Sequence, residues 1–268
     1  MDANLKARLK TAALGAPLLI ALVAWSPAWL FAAAVFLVTL GALREYFAMA
    51  FPGRRSDQAA GVALGLGLSA AVVLGLASEV GPWLGLVLIA IFSASLVFNL
   101  QRSGRLNQCV WLGVGALYAG FLLPQWATLF RQPHGRAWVF WVLLVIMVGD
   151  TVAYFAGKRF GRRRLAPGIS PGKTVEGAWG YVAGAVLAGL LGGRFLFDDI
   201  APVEIFLLSV VLAILGQLGD LFESRIKRLF EVKDSGTILP GHGGILDRVD
   251  SLIFPAVLTT AYLRVFHP

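Results

Sequence analysis

The chain has 268 residues, of which 58% are hydrophobic and only 14% charged, and its mean hydropathy is +0.77. Soluble domains carry roughly a quarter charged residues, so a water-facing globule is excluded and the length divides better into membrane spans of about 20 residues. The formal net charge of +8 is not paired with regularly spaced aromatics of the kind a nucleic-acid surface carries, and no nucleic-acid partner is expected.

Nine apolar segments follow one another, near residues 9–25, 28–49, 60–77, 82–100, 110–130, 137–157, 175–197, 203–222 and 246–266. Lys6, Arg8 and Lys10 before the first segment imitate a secretory leader. Pro27 follows at once, however, no small-x-small cleavage site is visible, and a second apolar run begins immediately. A hairpin of two retained helices turning at Ser26-Pro27 is predicted instead. The loops are short, with no internal repeat and no low-complexity linker. The expected fold is an all-α polytopic membrane protein of about nine transmembrane helices, divided into apolar spans over 1–136 and spans that carry polar groups over 137–268. Cys109 excludes an internal disulfide, carries no metal-site spacing, and reads as buried apolar filler. Gly180, Gly184 and Ala188, spaced four apart, permit close helix contact and with it a homodimer.

Orientation follows from the basic residues. With the N-terminus in the cytoplasm, only Arg131, Arg136, Arg194 and Arg264 fall outside, together with Asp198, Asp199 and Glu204. Every other lysine and arginine falls inside, which is the bias of a cytoplasmic N-terminus and the source of most of the net charge. Such a face favours the anionic headgroups of the bilayer. Short loops and compactness suggest a bacterial inner membrane.

The two halves of the chain differ in kind. Before about residue 140 the spans are almost uniformly apolar, with Arg44 and Glu45 near a helix end as the exception. After it, Asp150 lies deep in the sixth segment, and Asp220 and Glu223 lie at the cytoplasmic end of the eighth. A carboxylate at membrane depth costs about 2.5 kcal/mol or more and marks a functional site by default. Helical spacing puts Asp150, Tyr154 and Lys158 on one face, and Gln217, Asp220, Ser224, Lys227 and Arg228 on one stripe. Asp247, Asp250 and Ser251 share a face at the start of the last segment, where the helix dipole favours carboxylates.

Between the last two segments runs KDSGTILPGHGGILDRVD, residues 233–250. Gly236, Gly241, Gly243 and Gly244 free the backbone to approach a ligand. Lys233, His242 and Arg248 supply positive charge or donors, and Asp234, Asp247 and Asp250 supply hard oxygen ligands. Cations, carboxylates and glycines crowded in this way suit a metal–phosphate complex at the cytoplasmic face. A second stretch, ISPGKTVEG at 169–177, contains the letters of a nucleotide-binding P-loop, but Pro167 stands where that motif needs a glycine and no strand is expected before it. What remains is Ser170, Lys173 and Thr174 on a loop leading into a helix with Glu176 in its first turn. That suits an anion at the helix N-terminus, or an ordinary cap at Thr174.

The run SRIKRLFEVKDSGTILPGHGGILDRVD, residues 224–250, closely resembles the signature of the phosphatidate cytidylyltransferase (CDP-diacylglycerol synthase) family. The serine, the KR and KD pairs, HGG and the closing DRVD stand in order and spacing, with no departure inside the signature. GDTVAYFAGKRFG and SPGKTVEG look like upstream motifs of the same family, so the resemblance covers roughly residues 149–250. It implies transfer of a cytidylyl group from CTP to phosphatidic acid, with Mg2+ as cofactor. On that footing Asp220 and Asp247 are expected to hold magnesium, with Asp250 or Asp234 assisting. Lys173, Lys227, Lys233 and Arg248 would hold phosphate oxygens, and His242 would donate to the departing pyrophosphate. Ser170, Thr174, Ser224, Arg228, Gly243 and Gly244 are expected substrate contacts, and Asp150 would anchor a basic side chain or a second cation. Two alternatives stand beside this reading. One is another CTP-dependent lipid enzyme, of the polyprenol kinase or CDP-archaeol synthase type. The other is an ion-coupled transporter, which would spread polar residues through both halves of the membrane.

Overall fold

A computed structural model describes residues 15–98, 108–236, 238 and 243–267. Each of the nine apolar segments is mainly helical over its described residues. Among the described residues, seven helical segments are long and apolar enough to cross a membrane, and two shorter apolar helices accompany them.

The first short helix, α1 (Gly15–Trp25), is followed by α2 (Ala28–Ala50), with the break at Ser26-Pro27 as expected. Helix α3 (Arg55–Val73) starts five residues earlier than hydropathy suggests, because Asp57 sits in its first turn and pairs with Arg54 at 2.5 Å. It ends before Gly75, whose φ of +81° only glycine adopts readily. Helix α4 (Gly81–Phe98) is the second of the short pair. The fifth segment is irregular. Helix α5 (Gln108–Leu117) passes into a π turn, Tyr118–Leu122, and then into α6 (Gln125–Phe130) beyond Pro124, which cannot donate a backbone hydrogen bond. At the π turn the backbones nearly touch: a Cβ on Gly120 would lie 2.6 Å from Gly65 Cα. Cys109 is exposed on α5, contrary to the expected buried filler; as the second residue of a span it faces the surroundings of the helix rather than its packed side.

Helix α7 (Gly135–Phe160) closes with Lys158 and Arg159 in its last turn, where cations suit the dipole. A small antiparallel hairpin then joins the helical framework. Its strands are β1 (Arg164–Ala166) and β2 (Ser170–Thr174), paired Arg164 to Thr174 and Ala166 to Ser170 across a Pro167-Gly168 turn. Helices α8 (Val175–Leu196), α9 (Pro202–Leu229) and α10 (Leu246–Phe266) complete the chain. The stripe of small residues on α8 is used inside the molecule. A Cβ on Gly180 would meet Ala156 Cβ at 2.6 Å, one on Gly184 would meet Val152 at 2.7 Å, and Ala188 is buried. Packing of α8 on α7 therefore accounts for the spacing that suggested self-association.

The two halves share one core. Phe92 of α4 stacks on Phe222 of α9 at 4.6 Å, and Tyr118 of the π turn packs edge-on against Phe222 at 5.0 Å and Phe254 of α10 at 6.1 Å. Trp126 Nε1 donates to the Leu252 carbonyl at 3.2 Å. This aromatic layer lies among the helices that carry the polar site and fixes their spacing.

Candidate active site

The C-terminal parts of α7 and α9, the hairpin and the start of α8 enclose a cavity of about 600 Å³, within the usual range for a small-molecule site. Two carboxylates, Asp150 and Asp220, and four cations, Lys158, Arg162, Arg164 and Lys173, line it with Tyr154, Tyr181 and Gln217. Lys173 Nζ lies 2.6 Å from Asp220 Oδ2, both about a quarter exposed, so this ion pair is open to a ligand. Asp150 is exposed into the cavity and accepts a long hydrogen bond, 3.4 Å, from Ser251 Oγ of α10. Asp250, buried beside Ser251, accepts from the Ser251 amide at 2.7 Å and is within electrostatic reach of Asp220, Glu223 and Lys173.

The cations are held in place by the backbone around them. Glu176 in the first turn of α8 accepts from the amides of Arg162 (3.0 Å) and Arg163 (3.3 Å), fixing the turn between α7 and β1. Thr174 Oγ1 accepts from the Gly177 amide at 3.1 Å, so the helix is capped in the ordinary way. The GKT letters lie within β2, and a strand does precede them, contrary to expectation. The P-loop reading fails all the same, because the segment is a paired strand and not a loop wrapped round a phosphate.

A second polar centre stands one level along α9. Lys227 Nζ lies 2.5 Å from Glu223 Oε2 and 2.7 Å from Asp247 Oδ1, with Glu223 fully buried. Asp247 also accepts from the amides of Gly244 (2.8 Å) and Ser235 (3.1 Å to Oδ2). Gly243 has a φ of +79°, and a Cβ there would lie 2.8 Å from Asp247 Oδ2. These glycines fit the loop closely round its own carboxylate; this is a tighter reason for them than approach to a ligand.

The cytidylyltransferase family profile matches residues 6–266. The chain belongs to the cytidylyltransferase family. Its relatives include phosphatidate cytidylyltransferases from Bacillus subtilis, 38% identical over 62% of this chain and 64% of that protein, and from Brucella abortus, 39% identical over 65% and 63%. Another, from Synechocystis sp., is 36% identical over 90% of each chain. The match thus spans less than two thirds of the Bacillus and Brucella proteins.

Within this family member the expected site residues divide into groups. Asp150, Lys173, Thr174 and Asp220 come together on the cavity wall. Ser224 donates to Asp220 Oδ1 at 3.3 Å and so supports that wall. Lys227, Asp247, Gly243 and Gly244 form the second centre, with Asp250 between the two. Arg228 turns to the hairpin, donating to the Ile169 carbonyl at 3.3 Å, and to Val232 at 3.2 Å. Ser170 begins β2 away from the cavity wall. Lys233, Asp234 and Arg248 are exposed, and His242 lies outside the described residues.

Among the described residues no group of three or more His, Cys, Asp or Glu side chains converges as a metal cage. Magnesium commonly binds through one or two carboxylates, completed by substrate phosphates and water. Asp150 and Asp220 supply that donor set in the cavity, so the residues fit the ion without an all-protein cage. Asp247, also expected as a ligand, has its oxygens engaged by Lys227, Ser235 and Gly244, as Asp220 has its own engaged by Lys173 and Ser224. The residue that sequence reasoning passed over is Glu45 of α2, which accepts hydrogen bonds from both ends of the signature loop. Its only signal was a carboxylate beside Arg44 near the end of an otherwise apolar span.

Proposed function

We propose that this protein transfers the cytidylyl group of CTP to phosphatidic acid, giving CDP-diacylglycerol and pyrophosphate, from a site on the cytoplasmic face of the membrane. The observation that carries the reading is the cavity in which four cations face two carboxylates at helix ends. The names of the relatives support the choice of substrates. So does the border of the cavity, where Phe155, Phe160 and Trp179 stand exposed beside the basic residues 158–164, as at a membrane–water interface.

The chemistry asks little of a general base. A phosphomonoester has its second pKa at about 6, so the phosphatidate oxygen is an ionised nucleophile at neutral pH. It attacks the α-phosphorus of CTP, a new phosphorus–oxygen bond forms, and the bond to the β-phosphate oxygen breaks to release pyrophosphate. Both reactants are anions, so positioning and charge neutralisation are the enzyme's main contribution. Lys158, Arg162, Arg164 and Lys173 bind the triphosphate. Asp220 and Asp150 would hold magnesium, which would supply charge neutralisation to the phosphates. Lys227 lies one level nearer the signature loop and serves the lipid phosphate or the departing pyrophosphate. In purified protein with CTP and magnesium, CDP-diacylglycerol should form only when phosphatidate is added, and Asp220→Asn should abolish it. Product from that variant at the wild-type rate would remove Asp220 from the reaction.

A further inference from the structure

Glu45 stands near the end of α2, some two hundred residues before the signature loop, and is 5% exposed. Its Oε1 accepts from the Ile245 amide at 2.9 Å, and its Oε2 accepts from the Leu246 amide and from Ser235 Oγ, each at 2.9 Å. Ile245 and Leu246 are the N-cap and first residue of α10, and an isoleucine side chain cannot accept from the amides that the helix start leaves without an intrahelical partner. A carboxylate from α2 therefore caps α10 from across the fold, at the end of the helix where negative charge is favoured. The fit is close on the loop side too. A Cβ on Gly236 would lie 2.6 Å from Glu45 Oε1, and one on Gly244 would clash with both Glu45 and Ser235.

On the other side of the same loop, Asp247 accepts from the Ser235 and Gly244 amides and binds Lys227. The two ends of the signature loop are thus pinned between one carboxylate of the C-terminal half and one of the N-terminal half. We infer that Glu45 is a positioning residue for the reaction: by fixing residues 235 and 244–246 it sets Asp247, and through Asp247 it aims Lys227. This rests on the reading that Lys227 belongs to the reacting centre. Glu45 is not part of the cavity wall that carries Lys158, Arg162, Arg164 and Lys173, so its loss acts on turnover and spares CTP binding.

The test uses the full-length chain in detergent with saturating phosphatidate, measuring kcat and KM for CTP on protein whose folding is checked by gel filtration and its unfolding midpoint. Glu45→Gln keeps the shape but sets an amide NH2 against a backbone N–H. It should lower kcat tenfold or more with KM for CTP within twofold. Gly236→Ala, which displaces the Glu45 carboxylate without removing it, should show the same split. Ser235→Ala loses one bond of three and should stay within threefold of wild type. Wild-type kcat in folded Glu45→Gln overturns the inference, as does a raised KM at unchanged kcat. Failure of both Glu45→Gln and Gly236→Ala to fold overturns it as well, by making Glu45 a folding residue. Lys227→Met, run alongside, separates the two claims. If that variant keeps full turnover, the role of Lys227 falls; if it is inactive while Glu45→Gln is normal, only the positioning role falls.

Discussion

Replacing Lys227 with methionine removes the cation between two carboxylates while keeping the length of the side chain. Nζ lies 2.5 Å from Glu223 and 2.7 Å from Asp247, and the three side chains are 12%, 0% and 10% exposed. Removing one partner of a buried ion pair costs about 3–5 kcal/mol, because the remaining charge is left without compensation. At 1.4 kcal/mol per factor of ten, the unfolding equilibrium should move by between two and four orders of magnitude. Asp247 retains two backbone amides, so the penalty falls mainly on Glu223. Lys227→Met combined with Glu223→Gln should therefore recover at least about 1 kcal/mol, within the usual range of coupling between contacting residues. Reversible unfolding in mixed micelles measures both quantities, and neither variant should regain turnover. A loss below about 1 kcal/mol, typical of an exposed pair, would refute the reasoning. So would strict additivity of the two substitutions.

Thr174→Ala should lower stability by about 1 kcal/mol, the usual value of an N-cap, and leave KM for CTP unchanged; a raised KM would return that hydroxyl to the substrate. Lys173→Met should raise KM for CTP by tenfold or more, since a hydrogen bond to a charged group contributes about 1.5–3 kcal/mol, and steady-state titration of CTP reads it directly. Gly120→Ala has a backbone for its neighbour at 2.6 Å and should lose about 1–3 kcal/mol. Gly67→Ala, with nothing within 4 Å, should keep the wild-type unfolding midpoint.

Hydropathy located the helices well because each span must bury about 20 residues in hydrocarbon, a signal that survives averaging. Their ends were less legible. The eighth apolar segment closes near residue 222, and α9 runs on to Leu229, as the helical stripe through Lys227 and Arg228 implied, because the polar run after Phe222 continues the helix beyond the apolar stretch. The β1–β2 hairpin escaped because three- and five-residue strands show no periodicity. Helical spacing placed Asp150, Tyr154 and Lys158 on one cavity wall correctly. It also put Asp220 and Lys227 on one stripe of α9, but seven residues advance about 10 Å along the axis, so the stripe serves two centres and not one. Glu45 was out of reach of local pattern. Its partners are remote in sequence, and a single carboxylate near a helix end is ordinarily a side chain reaching for water.

The reading of nucleotidyl transfer, as against phosphate transfer to a lipid alcohol, is tested most directly by the fate of the CTP phosphates. Two parallel reactions with phosphatidate would carry CTP labelled at the α- or the γ-phosphorus, and the lipid phase would be extracted from each. The account expects the α label in the lipid and the γ label in released pyrophosphate. Label from the γ position in the lipid would contradict it and make the chain a kinase.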